Sequence, residues 1–175
     1  MPLADKARPK NFDEVAGQKH LLGEGRPLRK MLTAGHYPSL VFYGPPGTGK
    51  TTVADIVARQ SGKYLQRINA TTASLTDVKA ALASSGTLSG QGGILLYIDE
   101  IQYFNKKQQQ SLLEYVEDGR VTLICSTTDN PFFCIYPALL SRSAVFEFKS
   151  VPENEMLPTL KRGFSLLCEE YGVKG

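Results

Sequence analysis

Short, nearly unbroken apolar runs alternate along this chain with segments whose apolar residues recur every three or four positions. The first run, Leu40 to Tyr43 in "SLVFYGPPGTGK", is cut at once by glycine and proline, which predicts a buried strand ending in a loop. "TTVADIVARQSG" follows as a helix with Val53, Ile56 and Val57 on one face and Gly62 as its stop. "KYLQRIN" alternates as a second strand with Tyr64 or Leu65 and Ile68 buried, and "SLTDVKAALASSG" reads as a helix starting at Ser74 or Thr76. The most apolar stretch, Ile94 to Ile98 in "GGILLYIDE", is continuous rather than alternating, so it predicts a central strand covered on both faces. "NKKQQQSLLEYVEDGR" is a helix closing at Gly119, with Leu112, Leu113 and Val116 toward the core. "VTLICST" and Ala144 to Phe148 supply a fourth and a fifth strand.

Strands alternating with helices at this spacing predict an α/β fold, a five-stranded parallel sheet flanked by helices and built on right-handed crossovers. The ends differ in character. "VAGQKHLLGEGRPLRKML" is helical in patches broken by Gly23, Gly25 and Pro27, while "PENEMLPTLKRGFSLLCEEYG" carries one amphipathic helix. No internal repeat or low-complexity linker interrupts the pattern.

At 175 residues and 42% hydrophobic, the chain has material for one well-buried core. Its formal charge of +3 is too small to mark a nucleic-acid surface without clustering. Lys6, Arg8, Lys10 and Lys19 do cluster near the start, and a solvated arm explains them as well as a phosphate-contacting one. Cys125, Cys134 and Cys168 form no CxxC pair, so a structural metal is not expected. No apolar run is long enough to span a bilayer and "MPLADKARPK" is too polar for a signal peptide. The expectation is a cytoplasmic protein with no membrane partner.

The chemistry concentrates at strand ends. Gly44, Gly49, Lys50 and Thr51 satisfy GxxxxGK[ST], with a strand before and a helix after. In such a loop, running here from Gly44 through Pro45, Pro46, Gly47 and Thr48 to Thr52, glycines turn backbone N–H groups inward around phosphates. Lys50 reaches the outer phosphates and the Thr51 hydroxyl is offered to magnesium. Asp99 and Glu100 end the central strand, where a parallel sheet gathers its ligands: Asp99 to orient Mg2+ and its waters, Glu100 to accept a proton from the attacking water or to position it. Alone, an acidic pair there is an ordinary solvated turn; beside a phosphate loop it is a site. Thr127 and Thr128 end the next strand, where turn capping and a contact to water or phosphate both suit a hydroxyl. Arg142 follows a short apolar helix-like stretch and either pairs with a surface carboxylate or projects into a neighbouring subunit.

Taken together, "PLADKARPKNFDEVAGQKHLLGEGRPLRKML", "GPPGTGKTT", "LLYIDEIQYFNKKQQQSLLEYVEDGRVTLICSTTDNP" and "ALLSRSAVFEF" resemble the AAA+ P-loop ATPases of the clamp-loader-like branch. Within that branch they are most similar to the replication-associated recombination protein A family, relatives of the eukaryotic Werner-helicase-interacting ATPase. The resemblance implies that residues 1–151 form the nucleotide-binding domain, with 1–38 covering the adenine through Arg8, Pro9, Val15 and Gly17. It implies that residues 152–175 begin a helical lid whose remainder, with the second sensor arginine, lies elsewhere. It makes Thr128 the first sensor and Arg142 an arginine finger acting in trans; Ser143 stands where relatives carry cysteine. ATP and Mg2+ are the implied cofactors. The implied partners are further copies of the chain, tetrameric in full-length relatives, together with DNA ends, forks or single-stranded gaps and a single-strand-binding protein, at the nucleoid. A clamp-loader subunit, a branch-migration ATPase and a non-hydrolysing, nucleotide-dependent interaction module are the alternatives.

Overall fold

The computed structural model describes residues 2–85, 92–119 and 121–172. Among them, five strands form one parallel sheet in the order β2-β3-β4-β1-β5: β1 Ser39–Tyr43, β2 Tyr64–Asn69, β3 Ile94–Asp99, β4 Val121–Thr127 and β5 Ser143–Glu147. Helices α4 (Lys50–Ser61), α5 (Leu75–Ser85), α6 (Lys106–Glu117) and α8 (Pro137–Ser141) make the connections, with α7 (Pro131–Cys134) a single turn before α8. The chain enters through α1 (Leu3–Lys6), a 3-10 turn at Phe12–Glu14, α2 (Lys19–Leu22) and α3 (Pro27–Thr33), and leaves through α9 (Glu153–Tyr171).

Alternation along each strand divides the core between the two faces of the sheet. Leu40, Phe42, Leu95, Tyr97 and Ile124 pack with α3, α4 and the entering segment; Val41, Ile94, Leu96, Ile98, Leu123 and Cys125 pack with α5, α6 and α8. The continuous hydrophobicity of β3 follows from this, since it pairs on both edges and is covered on both faces. Register matters for the site: Tyr43 lies opposite Thr127, and Ile98 opposite Cys125. The carboxyl ends of β1, β3 and β4 therefore finish side by side.

Local chemistry explains most element ends. Ser74 caps α5: its hydroxyl accepts the Asp77 N–H at 3.3 Å while the Asp77 carboxylate takes the Ser74 N–H at 2.6 Å. Of the two starts read from sequence, the serine is the cap and the helix proper begins at Leu75. Asn105 and Gln108 close a capping box on α6, and Gly62 ends α4 in the left-handed conformation. Pro27, expected to break the entering helix, occupies the first turn of α3, where its missing N–H has no intrahelical role. The structure departs from the sequence reading at β2 and β5. Tyr64 is exposed because β2 is an edge strand, leaving Leu65 and Ile68 half-buried on opposite faces. β5 runs one residue earlier, from Ser143, and Phe148 leaves the ladder to pack on Phe42 with ring centroids 4.9 Å apart.

Candidate functional site

The turn between β1 and α4 needs glycine at Gly44, whose φ is +143°. A β-carbon there would overlap the Phe148 carbonyl, because the chain leaving β5 passes directly against the loop. Gly49, at φ +98°, hands the loop to α4, so the first N–H groups of that helix, starting at Lys50, face away from any intrahelical acceptor. Lys50 is 7% exposed, and its Nζ donates to the carbonyls of Gly44 and Pro45, each at 2.7 Å. Burial pushes this ammonium's pKa down, and the charges of Glu100 and Asp99 partly restore it.

The two carboxylates arrive from β3. Ser126 Oγ, from β4, donates to Asp99 Oδ1. Glu100 sits in the left-handed region at φ +56°, a costly conformation for a residue with a β-carbon and one that concentrates at functional sites. Its Oε2 accepts from Gln102 Nε2 and, at 3.2 Å, from the Thr128 hydroxyl; Gln102 Nε2 also lies 3.3 Å from Thr128 Oγ1. Glu100 Oε1 takes no hydrogen bond from the described residues. Thr51 Oγ1 is 3.1 Å from the phenol of Tyr97. Burial raises that phenol's pKa to about 12, against hydrogen bonding from Ser126 and Thr51 that lowers it.

Lys50, Thr51, Asp99 and Glu100 share one open cavity of about 360 Å³, lined by Pro46 through Thr52 with the two carboxylates. The donor set fits a magnesium-bound polyphosphate. A buried ammonium and a helix N-terminus suit the anion, and one hydroxyl with one carboxylate suits a cation that keeps most of its ligands from phosphate and water.

A second cavity of about 300 Å³ adjoins it through Pro46, Gly47, Thr48, Gly49 and Thr52. Its other walls are Pro9, Val15 and Ala16 from the entering segment, Ser150 and Val151 after β5, and Met156, Thr159 and Leu160 of α9. Pro9 and Val15 thus supply part of the apolar wall of this cavity. Gly17 is packed behind them, where a β-carbon would come 3.1 Å from Val151 Cγ2. Arg8 is turned elsewhere: it pairs with buried Asp55 of α4 at 2.8 Å, and Asp55 also accepts from Arg67 of β2. Gln18, 4% exposed, joins the entering segment to the loop, donating to Thr48 O at 3.1 Å and Lys149 O at 2.6 Å and accepting the Lys149 N–H at 2.9 Å.

Arg142 lines neither cavity. It ends α8, pairs with Glu117 at 2.9 Å, donates to Ala138 O at 3.0 Å and remains 47% exposed. Gln18, Tyr97, Gln102, Ser126 and the α9 wall were not singled out in the sequence: Gln18, Tyr97 and Ser126 meet partners far along the chain, and Gln102 meets Glu100 through a turn that no local pattern marks.

Residues 40–151 match the ATPase family associated with various cellular activities (AAA). The chain belongs to this family. The AAA match covers all five strands apart from Ser39, the first residue of β1, and it includes the loop, both carboxylates, Thr128 and Arg142. The replication-associated recombination protein A of Haemophilus influenzae is 44% identical over 163 residues, 92% of this chain and 36% of that protein. Its Escherichia coli (strain K12) counterpart is 38% identical over 172 residues, 98% of this chain and 38% of its own. The resemblance to that family therefore extends through nearly the whole chain, while the chain spans little more than a third of these relatives' length. Among solved structures, the Thermotoga maritima RuvB Holliday junction branch migration motor matches with a TM-score of 0.72 and 27% identity, over 92% of this chain and 55% of the motor.

Proposed function

We propose that this AAA chain binds ATP with Mg2+ and hydrolyses it, as the nucleotide-driven part of a protein that maintains replicating or recombining DNA at stalled forks or gaps. The observation that carries the proposal is the single cavity shared by Lys50, Thr51, Asp99 and Glu100, residues that follow the carboxyl ends of two different strands, β1 and β3. The likeness to the recombination proteins supports the DNA assignment, since their name is the one recurring at high identity.

In this reading the apolar cavity takes the adenine against Pro9 and Val15, and Gly47 to Thr51 wrap the phosphates. Lys50 exchanges its two carbonyl partners for phosphate oxygens. Thr51 and Asp99 would hold magnesium, which would supply charge neutralisation at the phosphates. Glu100 accepts a proton from water as that water's oxygen bonds to the terminal phosphorus and the bond to the departing diphosphate oxygen breaks. Gln102 and Thr128 fix Glu100 through Oε2, leaving Oε1 for the water. Arg142, outside its own cavity, serves the site of a neighbouring copy. A trans arginine contributes about a thousandfold or more in phosphate-transferring sites, so a dispersed chain turns over slowly.

A branch-migration motor is the second reading, supported by the likeness to RuvB. The higher identity to the recombination proteins favours the first. Phosphate release measured over a range of protein concentrations, with gapped duplex and with four-way junction DNA, tests both. For the first reading, gapped DNA stimulates more than the junction and Glu100→Gln lowers release by about a hundredfold or more while retaining ATP binding. Equal release by wild type and Glu100→Gln at every concentration would leave a non-hydrolysing interaction module.

A further inference from the structure

Asp55 lies in the middle of α4 and is only 5% exposed, although its helix neighbours Val53, Ala54, Ile56 and Val57 all belong to the apolar core. Alanine would serve the helix better and bury no charge, so the carboxylate is the feature that needs a reason. Both of its oxygens are engaged. Oδ2 accepts from Arg8 Nη1 of the entering segment at 2.8 Å, and Oδ1 accepts from Arg67 Nη2 of β2. One buried residue therefore ties together the helix that follows the phosphate loop, the edge strand, and the segment that walls the second cavity.

What the tie to Arg8 fixes is the position of Pro9. Proline has no N–H to anchor, so its ring goes where its neighbours are held. They are held on both sides. Arg8 is fixed by Asp55, with the more exposed Asp5 at 3.4 Å; the Lys10 N–H donates to Glu14 Oε2 at 3.0 Å; and Ala7 O accepts from Arg162 Nε of α9 at 3.1 Å. Pro9 lines the apolar cavity together with Thr52, which stands three residues before Asp55 and so shares its side of α4. Two walls of that cavity, the start of α4 and the entering segment, are thus joined by one ion pair whose acid is buried.

We infer that Asp55 is a positioning residue for the base side of the nucleotide site: through Arg8 it holds Pro9 in the wall of the apolar cavity. The inference rests on the nucleotide reading above. Asp55 lines neither the phosphate cavity nor the apolar one, so it acts on a ligand only through Arg8. The consequence is a split between ligands. Losing the tie weakens those that carry a base and spares those that are phosphate alone, which meet Gly47 to Thr51.

The test is calorimetric titration with ADP and, separately, with pyrophosphate, both with Mg2+, for wild type, Asp55→Ala, Asp55→Asn, Arg8→Ala and the double variant Arg8→Ala with Asp55→Ala. None of these leaves a buried charge unpaired. Asp55 keeps Arg67 when Arg8 is removed, and the side chains of Arg8 and Arg67, already 28% and 47% exposed, reach solvent when Asp55 is removed. Asp55→Asn keeps the shape and loses the charge, and it decides the matter where Asp55→Ala folds poorly. An untied segment that is in place about a tenth of the time lowers affinity for ADP about tenfold. The expected result is a loss of that size in Arg8→Ala and in the Asp55 variants, with pyrophosphate affinity within about twofold of wild type. The double variant is expected to be no weaker than the weaker single, because both cut one link. Equal losses for ADP and pyrophosphate would overturn the inference, since they signal damage to α4 rather than to the wall. Wild-type ADP affinity in the Asp55 variants would overturn it as well, and a loss confined to Arg8→Ala would mean that Arg8 itself touches the base. Losses that multiply in the double variant would also overturn it. In each of those cases the wild type still binds ADP and the nucleotide reading stands; a wild type that binds neither ADP nor pyrophosphate overturns both.

Discussion

The Phe148 carbonyl leaves no room for a side chain at Gly44, and backbone cannot swing aside as a flexible side chain would. Gly44→Ala is therefore expected to displace the loop from β5 and cost about 2 kcal/mol or more, measured by urea unfolding, with nucleotide binding lost alongside. Gln18 makes a different case. Its amide satisfies Thr48 O, Lys149 O and the Lys149 N–H from one buried position, itself held at φ +56°. Gln18→Ala leaves those groups unpaired, for a loss of about 2–4 kcal/mol in the same experiment. Gly44 was legible in the sequence because a motif fixes its spacing to Lys50. Gln18 was not, because its partners lie 30 and 131 positions away and nothing in its neighbourhood announces them. Gln102 was hidden for a different reason: its partner is two residues away, but only the left-handed turn at Glu100 brings it back onto that carboxylate.

Among elements, the strands and the helices α4, α5 and α6 were readable from periodicity, since each buries a face that its own sequence declares. The entering and leaving segments were not. α9 has no fully buried residue, and its apolar Met156, Leu157, Leu160 and Phe164 are exposed, so the amphipathic pattern named a helix without saying what it packs on. Polar ties to the entering segment hold it instead: Arg162 donates to Ala7 O at 3.1 Å and pairs with Glu14 at 3.2 Å, and Lys6 pairs with Glu170 at 3.1 Å. This arrangement makes Arg162 an anchor between α9 and the entering segment. Hydrogen exchange should show the consequence, with Arg162→Ala speeding exchange in α9 while β3 amides stay protected. Equal acceleration in both would mean that α9 belongs to the cooperative core.

At the scale of the whole molecule, parallel pairing is what converts scattered residues into a site. Because β1, β3 and β4 run the same way in matched register, their carboxyl ends deliver the loop, Asp99 with Glu100, and Ser126 to Thr128 to one edge. That convergence was foreseeable from strand order of events along the chain; the outward placement of Arg142, paired with Glu117, was open in the sequence between two readings and is now a surface position. A shared site predicts complementation: Glu100→Gln and Arg142→Ala copies, each nearly inactive alone, should regain phosphate release when mixed, and a mixture no faster than its parts would argue against a finger in trans. The most direct test of the account is calorimetric titration of the chain with a slowly hydrolysed ATP analogue, with and without Mg2+, for wild type and Lys50→Ala. One site per chain, tightened by Mg2+ and lost in Lys50→Ala, is the predicted result; binding that ignores both the metal and the lysine would contradict it.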